Sequence, residues 1–519
     1  MIRKMKKSSA VGSDSINALR LADIYPSVKR SLLHLINLSI STGVFPKIFK
    51  QTKITPILKQ DKDPLLASSY RPISNTCCFG KLIERCLMKQ MMDHVKGLGL
   101  ININHHGGIE HHSTTTCVLN ILNDSKESLE GKNKTAIMAV DLSAAYDLVN
   151  HELLYEKCRL LSVGTICLSW LKSFLEKRSQ YVELNGVKSD LLNCGPEGVV
   201  QGGPSSGELF LLFLNSLPIN RKSNTTESLS NMFVDDHSSV ISGKSDSELI
   251  SNIQNEFSRV SKYLIRHRMK INTDKTQLMI IHPTEDLRNT PILLDNEVIK
   301  HQEHIKVLGI TISENLKFDQ HIKNGKKNTI RSINSKTAMI RSIKQFIPLK
   351  ELAQVANNLV NSTILYGAPI WANTSQENLD VVQKAQTKAA KVVLGLNWLN
   401  GTTISRQTCL NKLNWPNVHQ ICEMATLNLV KKASTGLSSH DVNNMFSKVT
   451  KRHPRGERAI ILKHNGPISR KITNFSAKAA IDFNKLPYNL RDPGLTCDQF
   501  KAHLKTYSRE NNLLKKHIN

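Results

Sequence analysis

The chain has 519 residues, too long for a single small module, so two to four domains are expected. Its 70 lysines and arginines exceed its 43 acidic residues by 27, which indicates a polyanionic partner, either nucleic acid or an anionic membrane surface. Hydrophobic residues make up 40% of the chain, enough to form a core and to argue against wholesale disorder. The longest apolar run, at 209–214, is far too short to span a membrane, so nucleic acid is favoured.

The ten cysteines narrow the class of protein further. None of them forms a C-x-x-C pair, which excludes a zinc ribbon or finger of ordinary spacing, and their low density argues against a disulfide framework. The basic first ten residues lack the apolar segment of a secretory signal. We therefore expect an intracellular protein, nuclear or cytoplasmic and not secreted, in a reducing compartment.

Hydrophobic periodicity predicts the main elements in chain order. Apolar residues at three- and four-residue spacing predict a helix within the first 50 residues, which Gly43 and Pro46 end. The apolar run at 209–214 is typical of a buried helix or strand. Further elements are predicted as follows: a buried strand at 135–140, a strand, two-acid turn and strand at 231–241, a helix at 249–270, and strands at 276–281 and 305–312.

Beyond about residue 320 the sequence becomes helical and basic. Residues 401–519 contain 20 lysines and arginines but only 7 acidic residues, a net charge of +13. We interpret this segment as a surface that binds phosphates. Removing it is predicted to weaken nucleic-acid binding and to reduce the salt dependence of that binding.

Three carboxylates form the most informative constellation of the sequence. Asp141, Asp235 and Asp236 each follow a short apolar run, so they converge if the predicted strands are neighbours. Carboxylates that converge repel one another, and such a cluster usually holds divalent cations. Because side chains alternate along a strand, Asp235 and Asp236 cannot point to the same place. Asp141 and Asp235 are therefore the predicted main ligands, with Asp236 secondary. The alternative is that the pair is only a polar hairpin turn.

Seven short motifs occur in the order and approximate spacing of one known family. They lie at 57–59, 70–74, 139–151, 198–202, 233–236, 269–276 and 307–310. Together they resemble the fingers and palm motifs of the reverse transcriptases of LINE-type (non-LTR) retrotransposons, of the jockey-like kind. Each motif is weak alone, whereas seven in order are specific.

The resemblance implies a fold and a division of the chain. The implied fold is an α+β right-hand polymerase with fingers, a ferredoxin-like βαββαβ palm and a helical thumb, followed by a helical basic C-terminal region. The expected regions are an N-terminal helical extension at 1–37, reverse transcriptase fingers and palm at 38–312, a thumb-like helical region at 313–400 and the basic region at 401–519. The endonuclease domain that precedes the polymerase in this family is expected to be absent.

The resemblance also implies an activity, RNA-directed DNA polymerisation by two-metal nucleotidyl transfer. The expected partners are an RNA template, a DNA primer and deoxynucleoside triphosphates, with no membrane. The expected cofactors are two magnesium ions, with manganese as the alternative. Asp141, Asp235 and Asp236 would bind the metals, and Lys275 would act near the pyrophosphate as an electrostatic helper or general acid. An ordinary surface lysine is an equally weighted alternative for Lys275.

Further residues would contact the incoming nucleotide if the resemblance holds. Tyr146 would be a steric gate, whose ring clashes with a ribose 2′-hydroxyl; the alternative is a core aromatic. Gln201 would contact the nucleotide, and Gly202 would allow close backbone approach. Arg71 would grip the triphosphate, since a guanidinium suits bidentate phosphate contact, and Lys59 would assist.

The sequence departs from the family pattern in two places. Where the family carries an arginine before its S-T pair, this chain has Ile109, within the segment 105–112 that contains four histidines. These histidines are interpreted as solvated loop residues, with a metal site as the less favoured alternative. In the second palm motif Val200 replaces the usual proline and 203–207 differ, which leaves the placement of Gln201 less certain.

Two rival functions stay open at this point. A catalytically inactive retroelement remnant that only binds nucleic acid is favoured by Ile109 and by the altered 203–207 turn. The intact Asp141 and Asp235 argue against this remnant. An RNA-templated RNA polymerase is weaker, because the aromatic ring of Tyr146 should exclude ribonucleotides.

Overall fold

The computed structural model describes residues 2, 11–59, 62–218, 228–294, 297–396, 405–452, 458–465 and 475–511. Most of the basic first ten residues, and parts of the predicted N-terminal extension and of the basic region at 401–519, lie outside the described residues. The helices are α1 (Ala18–Thr42), α2 (Cys78–Gly97), α3 (Thr114–Glu130), α4 (His151–Leu160), α5 (Thr165–Leu175), α6 (Ser206–Phe213), α7 (Asp246–Arg266), α8 (Glu285–Asn289), α9 (Thr329–Ile343), α10 (Leu349–Ala356), α11 (Ser362–Leu365), α12 (Ala368–Trp371), α13 (Gln376–Leu394), α14 (Arg406–Lys412), α15 (Val418–Ser434), α16 (His440–Asn444), α17 (Phe475–Asn484) and α18 (Cys497–Asn511).

The strands form one four-stranded sheet, one mixed sheet and several hairpins. They are β1 (Gln51–Leu58), β2 (Tyr70–Asn75), β3 (Lys134–Ser143), β4 (Ser179–Leu184), β5 (Val187–Lys188), β6 (Leu192–Asn193), β7 (Ser228–Phe233), β8 (Asp236–Gly243), β9 (Lys270–Ile281), β10 (Ile292–Leu294), β11 (Glu297–Ile299), β12 (His304–Val307), β13 (Ile310–Ser313), β14 (Phe446–Arg452) and β15 (Arg458–His464).

The first long helix confirms its sequence signals. Asn17 accepts a hydrogen bond from the backbone N–H of Arg20 at the start of α1, and Gly43 ends the helix in a left-handed conformation with φ 66°. The helix continues past residue 37, where the sequence placed the boundary between the N-terminal extension and the polymerase. The structure therefore joins these two predicted regions through one continuous helix.

The central sheet has the strand order β7-β8-β3-β9, and its neighbouring strands are antiparallel. Along the chain, β3 is followed by α4 and α5, by the short strands β4–β6 and by α6, and then by the β7–β8 hairpin, α7 and β9. This connectivity and order are those of the ferredoxin-like βαββαβ palm that the sequence predicted. The apolar run at 209–214 overlaps α6, which is buried, so it forms a helix and not a strand.

Alternation along β3 places the two faces of the sheet against different layers. Ala136, Met138 and Val140 belong to a buried cluster with residues of α2, α6 and α7. Ile137 belongs to a second buried cluster, with residues of α3 and of the helices after residue 313. The sheet is therefore covered on both faces, and the loops at its end remain available for a site.

The fingers are built on a mixed sheet of order β2-β1-β4-β5, with β6 paired to β4. Strands β1 and β2 form an antiparallel hairpin, in which Ile57 is paired with Arg71. Strand β1 is parallel to β4, with Gln51 opposite Ser179. The long connection between β1 and β4 carries α2, α3 and β3, so the fingers and the palm are interleaved in sequence.

The region after residue 313 is mainly helical, as predicted, but it also contains the antiparallel hairpin β14–β15, which the sequence analysis missed. Val360, Leu410 and Phe500 lie in the same buried cluster as Ile137 of the palm. Asn120 of α3 also donates a hydrogen bond to Asp441 of α16. The basic region at 401–519 is thus packed against the palm, in addition to carrying charge.

Two predictions from composition can be compared directly with the structure. All ten cysteines are free, which agrees with the expected lack of a disulfide framework. Within the described ranges, none of the helices combines the length and the apolarity that crossing a bilayer requires.

Candidate active site

The β7–β8 hairpin carries the two consecutive acids at its tight turn and at the start of β8. Phe233 is the last residue of β7 and pairs with Asp236, the first residue of β8, so the turn consists of Val234 and Asp235. The expected two-acid turn is therefore wrong by one residue. Val234 has φ 58°, an unfavourable conformation for a β-branched residue, so neighbouring contacts must hold the turn.

Asp141 lies inside a strand, although the sequence placed it at a strand end. Strand β3 continues to Ser143, and its residue Val140 is paired with His237 of β8. The following residue, Asp141, therefore lies beside Asp236 at the start of β8. The predicted convergence of β3 with the β7–β8 hairpin is confirmed by this register.

The two acids of the hairpin ionise less readily than free carboxyl groups. Partial burial raises the pKa of Asp235, and the charge of Asp141 raises it further. The pKa of Asp236 is raised to about 6, first by the loss of hydration and then by the charges of Asp235 and Asp141, although part of this side chain faces solvent. Because neighbouring carboxylates oppose the ionisation of Asp235 and Asp236, a cation bound beside them would be stabilising.

The donor set fits divalent ions of the magnesium type. Among the described residues, no group of three or more histidines, cysteines or acids is arranged as a complete metal cage. Magnesium is usually held by one or two carboxylates together with substrate phosphates and water, so a complete protein cage is not required. Asp141 and Asp235 are the residues that could supply such a partial set.

Lys275 is placed at the acids by an irregularity in the sheet. The register between β3 and β9 shifts between the pairs Ala139–Gln277 and Asp141–Asn272, and Lys275 lies in the extra segment of β9. Its Nζ atom is 3.2 Å from Oδ2 of Asp141. Exposed ion pairs add little stability, so the informative fact is the placement of a cation beside the acids.

Tyr146 follows β3 in a turn and shows features of both sequence interpretations. Its ring is stacked on Phe210 of α6, with centroids 5.3 Å apart and planes inclined by 26°. Burial raises the pKa of its hydroxyl, and the charges of Asp235 and Glu208 raise it further. The ring is thus half in the core and close to the acids, where a nucleotide sugar could meet its edge.

The segment at 198–202 connects this turn to the fingers. The backbone N–H of Val199 donates to the carbonyl of Tyr146 over 2.8 Å, and the carbonyl of Gln201 accepts from the N–H of Ser74 over 2.8 Å. Gly202 has φ 99°, and a Cβ atom there would lie 3.4 Å from the carbonyl oxygen of Ser74. The structure therefore brings Gln201 and Gly202 between the Tyr146 turn and the end of β2.

The side chains of Arg71 and Lys59, which were predicted to contact the triphosphate, differ in whether another residue already occupies them. Arg71 lies on β2 with an exposed side chain, and its guanidinium makes no hydrogen bond to another described residue. Lys59, by contrast, donates from Nζ to the carbonyl of Ser68 over 2.9 Å, and its backbone N–H donates to Ser69 over 2.8 Å. Arg71 is therefore free for an anion, whereas Lys59 is used to close the β1–β2 hairpin.

The histidines before α3 correct the sequence interpretation, because two of them are buried and not solvated. His105 contacts the carbonyl of Leu214 from Nε2 over 3.3 Å, and His106 contacts the hydroxyl of Thr116 from Nδ1 over 3.2 Å. Burial lowers the pKa of His105 to about 4 and that of His106 to about 3, so both are neutral at physiological pH. Ile109 packs against a hydrophobic cluster.

Gly107 supports the turn of Asp235, a contact that the sequence analysis missed. A Cβ atom on Gly107 would lie 2.5 Å from Cγ2 and 2.6 Å from the backbone N of Val234. The preceding residue, His106, donates its N–H to the carbonyl of Met232 on β7 over 2.8 Å. The two consecutive glycines after the histidines were the available signal, since glycine often marks a close approach of two backbones.

The comparisons with known proteins point to one family. The model of the family described as reverse transcriptase (RNA-dependent DNA polymerase) matches residues 57–312. The RNA-directed DNA polymerase from mobile element jockey of Drosophila melanogaster is 23% identical over 402 residues, which cover 77% of this chain and 43% of that protein. The protein of the same name from Drosophila funebris is 24% identical over 404 residues, with the same shares of 77% and 43%. The chain thus spans less than half the length of these relatives.

Among solved structures, apo telomerase from Candida tropicalis is similar with a TM-score of 0.39 and 15% sequence identity. The match covers 75% of this chain and 70% of that chain.

Proposed function

We propose that the protein is an RNA-directed DNA polymerase of a non-LTR retrotransposon, because the model of the reverse transcriptase family matches residues 57–312. It would extend the 3′-hydroxyl of a DNA primer on an RNA template, using deoxynucleoside triphosphates. The observation that carries the proposal is the register of β3 with the β7–β8 hairpin, which brings Asp141 beside Asp236 and next to the turn that holds Asp235. Reverse transcriptases generally use divalent metal ions, and we propose two magnesium ions here, with manganese as the alternative.

The acids would serve to hold these ions. Asp141 and Asp235 would be the main ligands, and Asp236 would add negative charge beside them. When bound, the ions would activate the attacking 3′-hydroxyl and stabilise the leaving pyrophosphate. Lys275 would then stand between Asp141 and the phosphates, where its ammonium group could neutralise charge or donate a proton to the pyrophosphate.

The residues around the acids would bind and select the nucleotide. The exposed guanidinium of Arg71 would contact the triphosphate, with Lys59 restricted by its hydrogen bond to Ser68. Gln201 and Gly202 would lie along the nucleotide, and the ring edge of Tyr146 would exclude a 2′-hydroxyl. Holding the reactants in this geometry supplies much of the rate enhancement in phosphoryl-type transfers.

The net charge of +27 supports binding of an RNA template and its primer. We propose the same division of the chain as before, with fingers and palm at 38–312, a thumb at 313–400 and a basic region at 401–519. An intracellular location, nuclear or cytoplasmic, is also proposed, because free cysteines suit a reducing compartment.

Primer extension tests the proposed activity. The full chain is given a primed poly-rA template, magnesium and dTTP, in parallel with Asp235→Asn and with Asp93→Asn, which removes an exposed acid of α2. Extension is expected from the wild type and from Asp93→Asn but not from Asp235→Asn. Equal extension by Asp235→Asn would remove this residue from the active site.

A nucleic-acid-binding remnant without activity is the second candidate. Ile109 and the altered residues at 203–207 favour it, since a family contact is missing at the first position and the turn differs at the second. The same experiment separates the two candidates. If the wild type does not extend the primer but still binds RNA in a salt-sensitive manner, the remnant is the correct description.

A further inference from the structure

The loop between Gln201 and α6 has a composition that gives its backbone little intrinsic rigidity. It contains the consecutive glycines Gly202 and Gly203, and Val200 stands where the resembled family has proline. Glycine residues allow the backbone of a loop more conformations, and this loop lacks the proline that would restrict them. A loop that is to hold Gln201 against a nucleotide must therefore be fixed by contacts from other elements.

One such contact comes from a buried carboxylate that the proposed mechanism does not use. Glu84 lies on α2 and is only 2% exposed. Its Oε1 atom accepts a hydrogen bond from the backbone N–H of Ser205 over 2.9 Å and a second one from the hydroxyl of the same serine. A Cβ atom on Gly203 would lie 3.3 Å from that Oε1 atom, so the loop is wrapped closely around the carboxyl group.

A buried arginine accompanies this carboxylate. Arg178 is 4% exposed. Burial raises the pKa of Glu84, and the hydrogen bonds from Ser205 and the charge of Arg178 offset part of that rise. The guanidinium donates to the hydroxyl of Thr52 on β1 over 3.0 Å and to the carbonyl of Phe174 over 3.2 Å. Glu84 thus links α2 to the loop before α6, and the charge of Arg178, which is bonded to β1, acts on it from the fingers sheet.

We propose that Glu84 is a positioning residue, which fixes the loop at 200–205 so that Gln201 and Gly202 meet the incoming nucleotide. The loop is held on the other side by the hydrogen bond from Ser74 to the carbonyl of Gln201, so the two glycines lie between two anchors. Because the inference concerns the nucleotide, it rests on the proposed polymerase function.

A purely structural role is the main alternative. Burying a carboxylate is costly, and an apolar side chain of similar size often stabilises a core as well or better. A residue with only a packing role could therefore be replaced by leucine without an effect on nucleotide binding. A positioning role requires the acceptor oxygen, which glutamine retains and leucine lacks.

Steady-state primer extension with four variants of the full chain tests the proposal. Ser205→Ala removes one of the two hydrogen bonds, Glu84→Gln keeps the acceptor oxygen, and Glu84→Leu removes it. The matched control is Ser125→Ala, a buried serine of α3 whose hydroxyl donates to Ile121 over 2.7 Å, away from the loop. The KM for dTTP, kcat and the melting temperature are measured for each variant.

The expected result is a rise in KM with little change in kcat. Ser205→Ala should raise the KM for dTTP about three- to tenfold with kcat within about twofold, the signature of lost nucleotide positioning. Glu84→Leu should show a larger rise, whereas Glu84→Gln and Ser125→Ala should stay near the wild type.

Two results would overturn the inference. If folded Ser205→Ala and Glu84→Leu both keep the wild-type KM, or if Ser125→Ala raises it equally, the carboxylate has only a packing role while the polymerase proposal stands. If the wild type itself does not extend the primer, the proposed function fails and the positioning role fails with it. If Glu84→Leu does not fold, the KM for dTTP of Ser205→Ala alone tests the inference.

Discussion

Replacing Gly107 with alanine tests whether the loop before α3 holds the turn that carries Asp235. The added Cβ atom would lie 2.6 Å from the backbone N and 2.5 Å from Cγ2 of Val234. Non-bonded heavy atoms settle at roughly 3.5–4.0 Å, so one of the two segments must move by about 1 Å. The loop is tied to β7 through His106, so part of this movement must be taken up by the turn.

The consequence should be larger for activity than for stability. Forcing extra volume into a packed contact costs about 1–3 kcal/mol of unfolding free energy. A displacement of about 1 Å in a catalytic group can reduce the rate about 100-fold. We therefore expect Gly107→Ala to extend a primer about 100 times more slowly, while it still folds and binds RNA.

Gly108→Ala provides the matched control. This neighbouring glycine has φ 73° and no atom within 4 Å of an added Cβ, so alanine there costs strain of about 1 kcal/mol without a clash. Primer extension, RNA binding and thermal unfolding are compared for both variants. Wild-type extension by Gly107→Ala would refute the reasoning, since the turn of Asp235 would then not depend on this contact. So would an equal loss of activity in Gly108→Ala.

Three further predictions concern selectivity, stability and the basic region. Tyr146→Ala should raise the use of ribonucleotides relative to deoxynucleotides by about tenfold, and unchanged sugar selectivity would exclude the gate. Arg259→Met should cost roughly 3 kcal/mol in urea unfolding at neutral pH, because it removes the cation paired with the buried carboxylate of Glu256 and leaves, among the described residues, only the hydroxyls of Ser228 and Ser239 as donors. Desolvation raises the pKa of Glu256, but the hydrogen bonds and charge of Arg259 bring it below its ordinary value. The difference in unfolding free energy between the wild type and Arg259→Met should therefore shrink as the pH falls through that lowered pKa. A difference that stays constant with pH would contradict this. Removing 401–519 should abolish cooperative thermal unfolding in addition to weakening RNA binding, because that segment shares a core with the palm. Cooperative unfolding of the shortened chain would show that the shared core is dispensable.

Local patterns were sufficient for the main strands and for the end of the first long helix. The apolar runs before Asp141 and Asp235 predicted strands that are present, and Gly43 ended α1 where expected. These features depend on neighbours in sequence, where periodicity and capping act. The exact position of an acid on its strand was less accessible, since the β3–β9 irregularity and the two-residue turn depend on pairing between distant strands.

The buried histidines and the hairpin β14–β15 were also not predicted from the sequence, because both depend on contacts with distant residues. His105 and His106 look like solvated loop residues in sequence, but the segment that carries them is packed against β7 and α3. The hairpin lies in a basic segment without strong alternation, so its pairing and its burial against neighbouring helices decide its conformation.

The sequence by itself determined the α+β fold with its palm topology and singled out three candidate carboxylates, because motif order and hydrophobic periodicity are local properties that survive in a single chain. Only the tertiary structure decided which residues support the site. Gly107 meets Val234, and Glu84 meets Ser205, across separations of more than one hundred residues. Contacts of this kind depend on how the sheet, α2 and the loops pack together, and no short-range pattern in the sequence encodes that packing.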